Sequence, residues 1–253
     1  MTAISNDCGA VYVATRNPRY VVLAAASARS LRQHAPGLPI TLFTNVLEIP
    51  PNYAHAFDTI TTIPSPQRVA VEWANGLVDK IHGIQASPYE RSLFIDADTL
   101  VCSDEALRAF DLLDDYELLI TECAQDASLS RRLMARPLYS TGILAYRRSP
   151  AVTRLLSAWM SYTLECIAAV RAERLEFFAD LDGLERDQKI FLALTDQYTL
   201  ARFLSPGRND HRVWVKVLEE RWNFRGDGLR EPPTGVVINH QLEIKQGSDA
   251  PTA

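Results

Sequence analysis

Short apolar runs alternate along this chain with longer stretches of helical periodicity. Ala10–Ala14 (AVYVA) is a β-rich run closed by the breaker Asn17-Pro18. In Tyr20–Gln33, Val22, Leu23, Ala26 and Leu31 fall near a 3.6-residue period, which predicts a helix ended by Pro36-Gly37. Ile40–Thr44 and Thr59–Ile63 predict two more strands, and Trp73–Ile84 a helix broken by Ser87-Pro88. Arg91–Ile95 reads as a buried strand running straight into Asp96-Ala97-Asp98. Ser103 caps a short helix whose first turn carries Asp104 and Glu105, where negative charge suits the helix dipole. Tyr116–Thr121, Ser140–Tyr146 and Val236–Asn239 predict the remaining strands. Pro150–Arg174 is the longest helical stretch, and Arg186–Leu194 a further helix behind the acidic loop Asp180–Glu185. Strand and helix alternate through the first half, so the expected class is α/β: a mostly parallel central sheet with helices on both faces. No repeat and no long linker divides it. The expected organisation is one domain over 1–246 and a disordered polar tail over 247–253.

Composition narrows the function classes. With 253 residues, 47% apolar and 23% charged, the chain is neither disordered nor low in complexity. A net charge of -5 gives no general attraction to phosphate backbones or anionic membranes, so no nucleic-acid partner is expected. No apolar run approaches the roughly 20 residues of a spanning helix. Tyr20–Ala28 has the look of a signal-peptide core, but it follows Asn17-Pro18-Arg19 and an earlier apolar run, so it is read as helix. Cys8, Cys102, Cys123 and Cys166 are scattered without a CxxC pair, against a zinc knuckle or a disulfide framework. A reduced, cytoplasmic protein is the expectation.

Ligands of open α/β sheets bind beyond the carboxyl ends of the strands. Three such ends carry chemistry: Thr15 and Arg16 after the first strand, Asp96 and Asp98 after the fourth, and His240 after the last. Two carboxylates one residue apart at the end of a rigid apolar strand converge on a hard divalent cation, Mg²⁺ or Mn²⁺, which in turn bridges to a diphosphate. The bland alternative is a solvated acidic loop. That reading suits the other D-x-D, Asp180–Asp182, which has no strand before it. His34, His55, His82 and His211 have no comparable context and are read as surface residues.

Spread over roughly Ala10 to Lys245, the segments AVYVATRNPRY, KIHGIQASPYERSLFIDADTLV, YSTGILAYR, ERDQKIFLAL, RWNF and VVINHQLEIK stand in an order that resembles the nucleotide-sugar-dependent glycosyltransferases of GT-A fold, in particular the family-eight-like (glycogenin-like) group. The resemblance implies a GT-A (Rossmann-like) domain. It implies that Ala14 and Thr15, with Tyr20 nearby, border the nucleotide, although Thr15 also reads as a plain turn hydroxyl. Lys80 matches a basic position that holds donor phosphate or ribose, and also reads as an exposed helical lysine. Asp96 and Asp98 would bind the metal, with Asp96 and Ala97 close to the ribose. His240 would complete the metal site and Lys245 reach the diphosphate; the family's Gly and Lys-Pro-Trp tail is absent here. Ser140-Thr141-Gly142 stands where the family has Asn-Thr-Gly facing the sugar. Asp187-Gln188 matches a D-Q at a helix start, with Asp on sugar hydroxyls and Gln beside the anomeric carbon; a capping Asp with an exposed Gln is the alternative. Trp222-Asn223 resembles a segment near the acceptor cleft, and an aromatic core residue fits Trp222 equally well.

The activity so implied is transfer of a sugar from a nucleoside diphosphate, UDP by the resemblance, to a hydroxyl acceptor, with Mn²⁺ or Mg²⁺ and with retention. Inversion, with Glu185 or Asp187 as base, fits the residues too. The sugar, the acceptor and the oligomeric state are not legible. Three other readings fit parts of the sequence. FIDADTLV echoes the nucleophile strand of haloacid-dehalogenase-like phosphatases but lacks the Gly after the second Asp. A sugar-1-phosphate nucleotidylyltransferase would want a Gly-rich loop where ATRNPRY stands. A catalytically inactive nucleotide-binding scaffold of the same fold is the third.

Overall fold

Val11 faces one side of the central sheet while Ala10 and Tyr12 face the other, and each side is closed by its own apolar core. This alternation is the period-2 signature of a strand buried on both faces. The computed structural model describes residues 7–64, 74–123, 137–204, 209–225 and 233–240. Strand β1 (Cys8–Val13) pairs in parallel with β2 (Ile40–Thr44) and with β4 (Arg91–Ile95), and β2 in parallel with β3 (Thr59–Thr62). On the other side β4 pairs antiparallel with β7 (Tyr139–Arg147), β7 antiparallel with β6 (Leu118–Glu122), and β6 in parallel with β8 (Val215–Leu218). The seven strands lie in the order β3-β2-β1-β4-β7-β6-β8. The chain is thus an α/β domain on a mostly parallel, mixed sheet.

Helix α1 (Pro18–His34) starts behind Asn17, whose side chain accepts from the Arg19 N–H, and places Pro at its first turn. Its Leu23, Ala24, Ala28 and Leu31 join the core on the Ala10 face, together with Ala109 and Phe110 of the short helix α4 (Arg108–Leu112). Another short helix, α2 (Pro51–Ala54), leads into β3. The opposite face is covered by α3 (Ala74–Gln85), α5 (Pro150–Arg171) and α7 (Asp196–Leu204), through residues such as Ile81, Trp159 and Tyr198. Helix α6 (Arg186–Ala193) is shorter and more exposed. No described helix is long and apolar enough to cross a membrane.

Two short strands, β5 (Thr99–Val101) and β9 (Ile238–His240), leave the main sheet and form an antiparallel ribbon of their own. The helix expected to reach Arg174 ends at Arg171, and the last strand begins at Ile238 rather than Val236. Of the segments named from sequence, Trp73, Lys245 and the tail 247–253 lie outside the described residues.

Candidate active site

The D-x-D turn is fixed from below by buried hydroxyls. Strand β4 is apolar on both faces as far as Ile95, and the chain then turns through Asp96, Ala97 and Asp98 into β5. The Thr99 hydroxyl donates to the Asp96 carbonyl at 2.9 Å and meets Ser27 Oγ at 2.7 Å, and Ser27 in turn meets the Tyr12 hydroxyl at 3.0 Å. The Asp96 N–H donates to the Gly142 carbonyl at 2.8 Å. These bonds satisfy the polar groups of a turn whose Ala97 and Thr99 are buried, as buried polar atoms require. Asp96 and Asp98 themselves are half-buried.

His240 arrives from the far end of the chain. Register in the ribbon sets His240 opposite Thr99, and the other side of β9 is held by Phe224: the His240 N–H donates to the Phe224 carbonyl at 2.8 Å. The imidazole lies against Gly142, where a Cβ would stand 2.5 Å from Nδ1 and 3.2 Å from an Asp96 carboxylate oxygen. Only glycine leaves room for the ring. His240 Nε2 faces Asp98 Oδ1 at 3.3 Å and Asp96 Oδ2 at 3.8 Å. One ligand atom from each of Asp96, Asp98 and His240 lies within 4.8 Å of the others. Two carboxylates and an imidazole suit a divalent cation such as Mn²⁺ or Mg²⁺. The second ring nitrogen, Nδ1, is bonded to Asn223 Oδ1 at 2.9 Å, the kind of outer partner that ligating histidines need.

Lys80 is the cation at the centre of the site. It projects from α3, and its Nζ lies 2.8 Å from Asp96 Oδ1, 2.7 Å from Asp196 Oδ2 and 3.3 Å from Thr141 Oγ1. Thr141 also donates to Asp196. Burial disfavours the charged ammonium, but Asp196 and Asp96 outweigh it and hold the Lys80 pKa above its ordinary value. Burial pushes the Asp196 carboxyl up, and Lys80 with the Thr141 hydrogen bond more than reverses that, leaving it lowered. Asp98 is lowered likewise, His240 opposing burial there. At Asp96 burial wins over Lys80 and His240, and the carboxyl titrates above its ordinary value. Three carboxylates, Asp96, Asp98 and Asp196, thus sit against the Lys80 and His240 side chains.

The remaining sequence-derived residues fall in three groups. Ala14 and Thr15 are buried at the carboxyl end of β1, and Tyr20 is exposed at the start of α1. Arg16 between them adopts φ 70° and is held by a 2.8 Å ion pair to the buried Asp79. Ser140 and Thr141 are buried in β7: Ser140 bonds to Asn223, and Thr141 to Lys80 and Asp196. Asp187 and Gln188 are not brought to these residues. Asp187 is 95% exposed on α6 and meets Arg186 beside it. Asp196, nine residues further on, meets Lys80 and Thr141 instead, with Gln197 half-buried after it. Both pairs open a helix that enters the core, the first through Leu192 and Ala193 and the second through Tyr198, Leu200 and Ala201. Trp222 is a core residue, whereas Asn223 next to it belongs to the site.

No protein-family model and no curated protein sequence matches this chain. Solved structures do match in shape. Mouse xyloside xylosyltransferase 1, in its apo form, matches over 93% of this chain and 98% of its own, with a TM-score of 0.56 at 14% identity. The chain has the GT-A glycosyltransferase fold. Within that fold it is also similar to the galactosyltransferase LgtC in complex with donor and acceptor sugar analogues, over 92% of this chain and 87% of that one, with a TM-score of 0.50 and 14% identity. The glycosyltransferase GlyE of Streptococcus pneumoniae TIGR4 matches 92% of this GT-A chain, which spans 54% of GlyE, with a TM-score of 0.52 and 15% identity.

Proposed function

We propose that this GT-A chain is a divalent-metal-dependent glycosyltransferase, moving a sugar from a nucleoside diphosphate, UDP by expectation, to a hydroxyl acceptor with retention. The observation that carries this reading is the convergence of Asp96, Asp98 and His240 beside the Lys80–Asp196 pair, at the carboxyl ends of β4 and β9. When bound, Mn²⁺ or Mg²⁺ supplies Lewis-acid stabilisation of the charge that develops on the departing diphosphate. Asp96, Asp98 and His240 would hold it.

The chain's own groups do the rest. Ala14, Thr15 and Tyr20 border the nucleotide, and the backbone beside Ala97 lies against its ribose. Lys80 is kept charged by Asp96 and Asp196 and faces the same anionic group. The Lys245 side chain is assigned to the diphosphate. Asp196 takes the sugar-hydroxyl role expected of Asp187, with Gln197 beside the reacting carbon in place of Gln188. Ser140, Thr141 and Gly142 form the floor. In the transfer the bond from the anomeric carbon to the diphosphate oxygen breaks, a bond to the acceptor oxygen forms, and the acceptor's proton leaves with the diphosphate. Retention requires that both events occur on one face, which a polar amide at Gln197 tolerates without a strong base.

The test is a thermal-shift titration with UDP and with GDP, each with and without Mn²⁺, on wild type and Asp98→Ala. A ligand at a hundred times its dissociation constant adds about 2.7 kcal/mol. Stabilisation by UDP that requires Mn²⁺ and disappears in Asp98→Ala is expected. A shift with GDP alone would change the donor, and no shift with either would replace this reading by a nucleotide-free scaffold.

A further inference from the structure

Behind the metal-facing side of His240 lies a closed set of polar groups that no catalytic step uses. Asn223 and His240 are each 5% exposed. The Asn223 amide nitrogen donates to Ser140 Oγ and, at 3.3 Å, to Thr121 Oγ1, while its carbonyl oxygen Oδ1 meets His240 Nδ1 at 2.9 Å. Ser140 and Thr121 are themselves buried in β7 and β6. Three elements that are distant in sequence therefore end on a single carboxamide.

An amide oxygen accepts and cannot donate. Where it faces Nδ1, the ring proton belongs on Nδ1, and the Nε2 lone pair points at Asp96 and Asp98. With the amide turned over, its NH₂ would face Nδ1, the proton would move to Nε2, and the ring would become a donor to Asp98 with no lone pair for a cation. We propose that Asn223, anchored by Ser140 and Thr121, is the positioning residue that fixes the His240 tautomer and so makes the imidazole a metal ligand. This rests on the metal-site reading above. It also gives Ser140 a place in the site: supporting Asn223 from β7.

The test has two arms. In the first, Mn²⁺ binding without nucleotide is followed by the electron paramagnetic resonance signal of free Mn²⁺, for wild type, Asn223→Leu and Asn223→Asp. Asn223→Leu removes the acceptor and is expected to weaken binding roughly 10- to 100-fold, the usual loss for an outer partner of a ligating histidine. Asn223→Asp keeps an acceptor for Nδ1–H and is expected to restore most of that affinity. Equal binding by wild type and Asn223→Leu would overturn the proposal, whereas absence of binding by wild type would overturn the metal site beneath it. The second arm needs no variant, so it stands even where Asn223→Leu fails to fold. Long-range ¹H–¹⁵N correlation of the metal-free wild type at about pH 8 reports which ring nitrogen of His240 carries hydrogen. A proton on Nδ1, with or without one on Nε2, is expected; a neutral ring protonated on Nε2 alone would refute the assignment.

Discussion

Lys80 and Asp196, 116 residues apart in the chain, meet at 2.7 Å, and the same ammonium is 2.8 Å from Asp96. One cation thus joins the helix α7 terminus to the D-x-D turn. Removing it leaves two carboxylates facing each other in a mostly enclosed space. Lys80→Met should lower unfolding stability by about 3 kcal/mol, the low end for breaking a buried pair from one side, since these groups keep some contact with water. Urea denaturation measures it, and an unchanged midpoint would deny the pair its structural part.

Asp196 and Asp187 separate cleanly by substitution. Asp196→Ala should cut turnover of the donor about 10²-fold or more, as loss of a group in the reacting region does. Asp187→Ala alters an exposed side chain, and its stability should stay within about 0.5 kcal/mol of wild type with turnover unchanged. Steady-state rates of the two purified variants decide the matter. The reverse ranking would return the D-Q role to α6.

Gly142 makes room for the His240 ring. Gly142→Ala should destabilise the fold by about 1–3 kcal/mol, the usual cost of overpacking, and displace the imidazole from Asp98. Mn²⁺ affinity should fall with it. Gly37→Ala is the control, because nothing lies within 4 Å of a Cβ at that position. Parallel melting and Mn²⁺ titration of both variants will show whether the two effects travel together.

Glu105 and Arg221 form a two-pronged ion pair, Nη1 to Oε2 at 2.6 Å and Nη2 to Oε1 at 2.5 Å, just ahead of Trp222 and Asn223. The Arg221 hydrogen bonds hold the Glu105 carboxyl below its ordinary 4.5, against the effect of burial. A carboxyl lowered by folding stabilises the fold fully above its unfolded value, and the contribution disappears as pH falls through the lowered one. Glu105→Gln should therefore melt below wild type at pH 7, and the two curves should converge as the pH drops well under 4.5. A gap that persists in acid would mean the pair acts by shape rather than charge.

Elements with their own periodic signature were legible in the sequence. Arg91–Ile95 and Ile40–Thr44 were placed to the residue, because a short apolar run between turn signals needs no distant partner to be recognised. Strands β5 and β8 were not foreseen. Thr99–Val101 is too short to show a period, and Val215–Leu218 is half exposed at a sheet edge, so each exists through its pairing partner. The grouping of Asp96, Asp98 and His240 was readable because the aspartates follow one apolar strand and the histidine closes another. Asp187-Gln188 and Asp196-Gln197 both sit at helix starts, and the order of segments does not say which of the two faces Lys80. Asn223 was noticed for its tryptophan neighbour, and its tie to His240 depends on contacts across β6, β7 and β9 that no local pattern encodes.

The ribbon of β5 and β9 has a consequence for how such a chain comes to function during its synthesis. Strands β1 to β8 are all made before Ile238–His240 leaves the ribosome. Asp96 and Asp98 are then in place while His240 is still to be translated. A nascent chain with its sheet assembled already holds Asp96 and Asp98, and the Asp96–Asp98–His240 group closes only when Ile238–His240 pairs with Thr99–Val101.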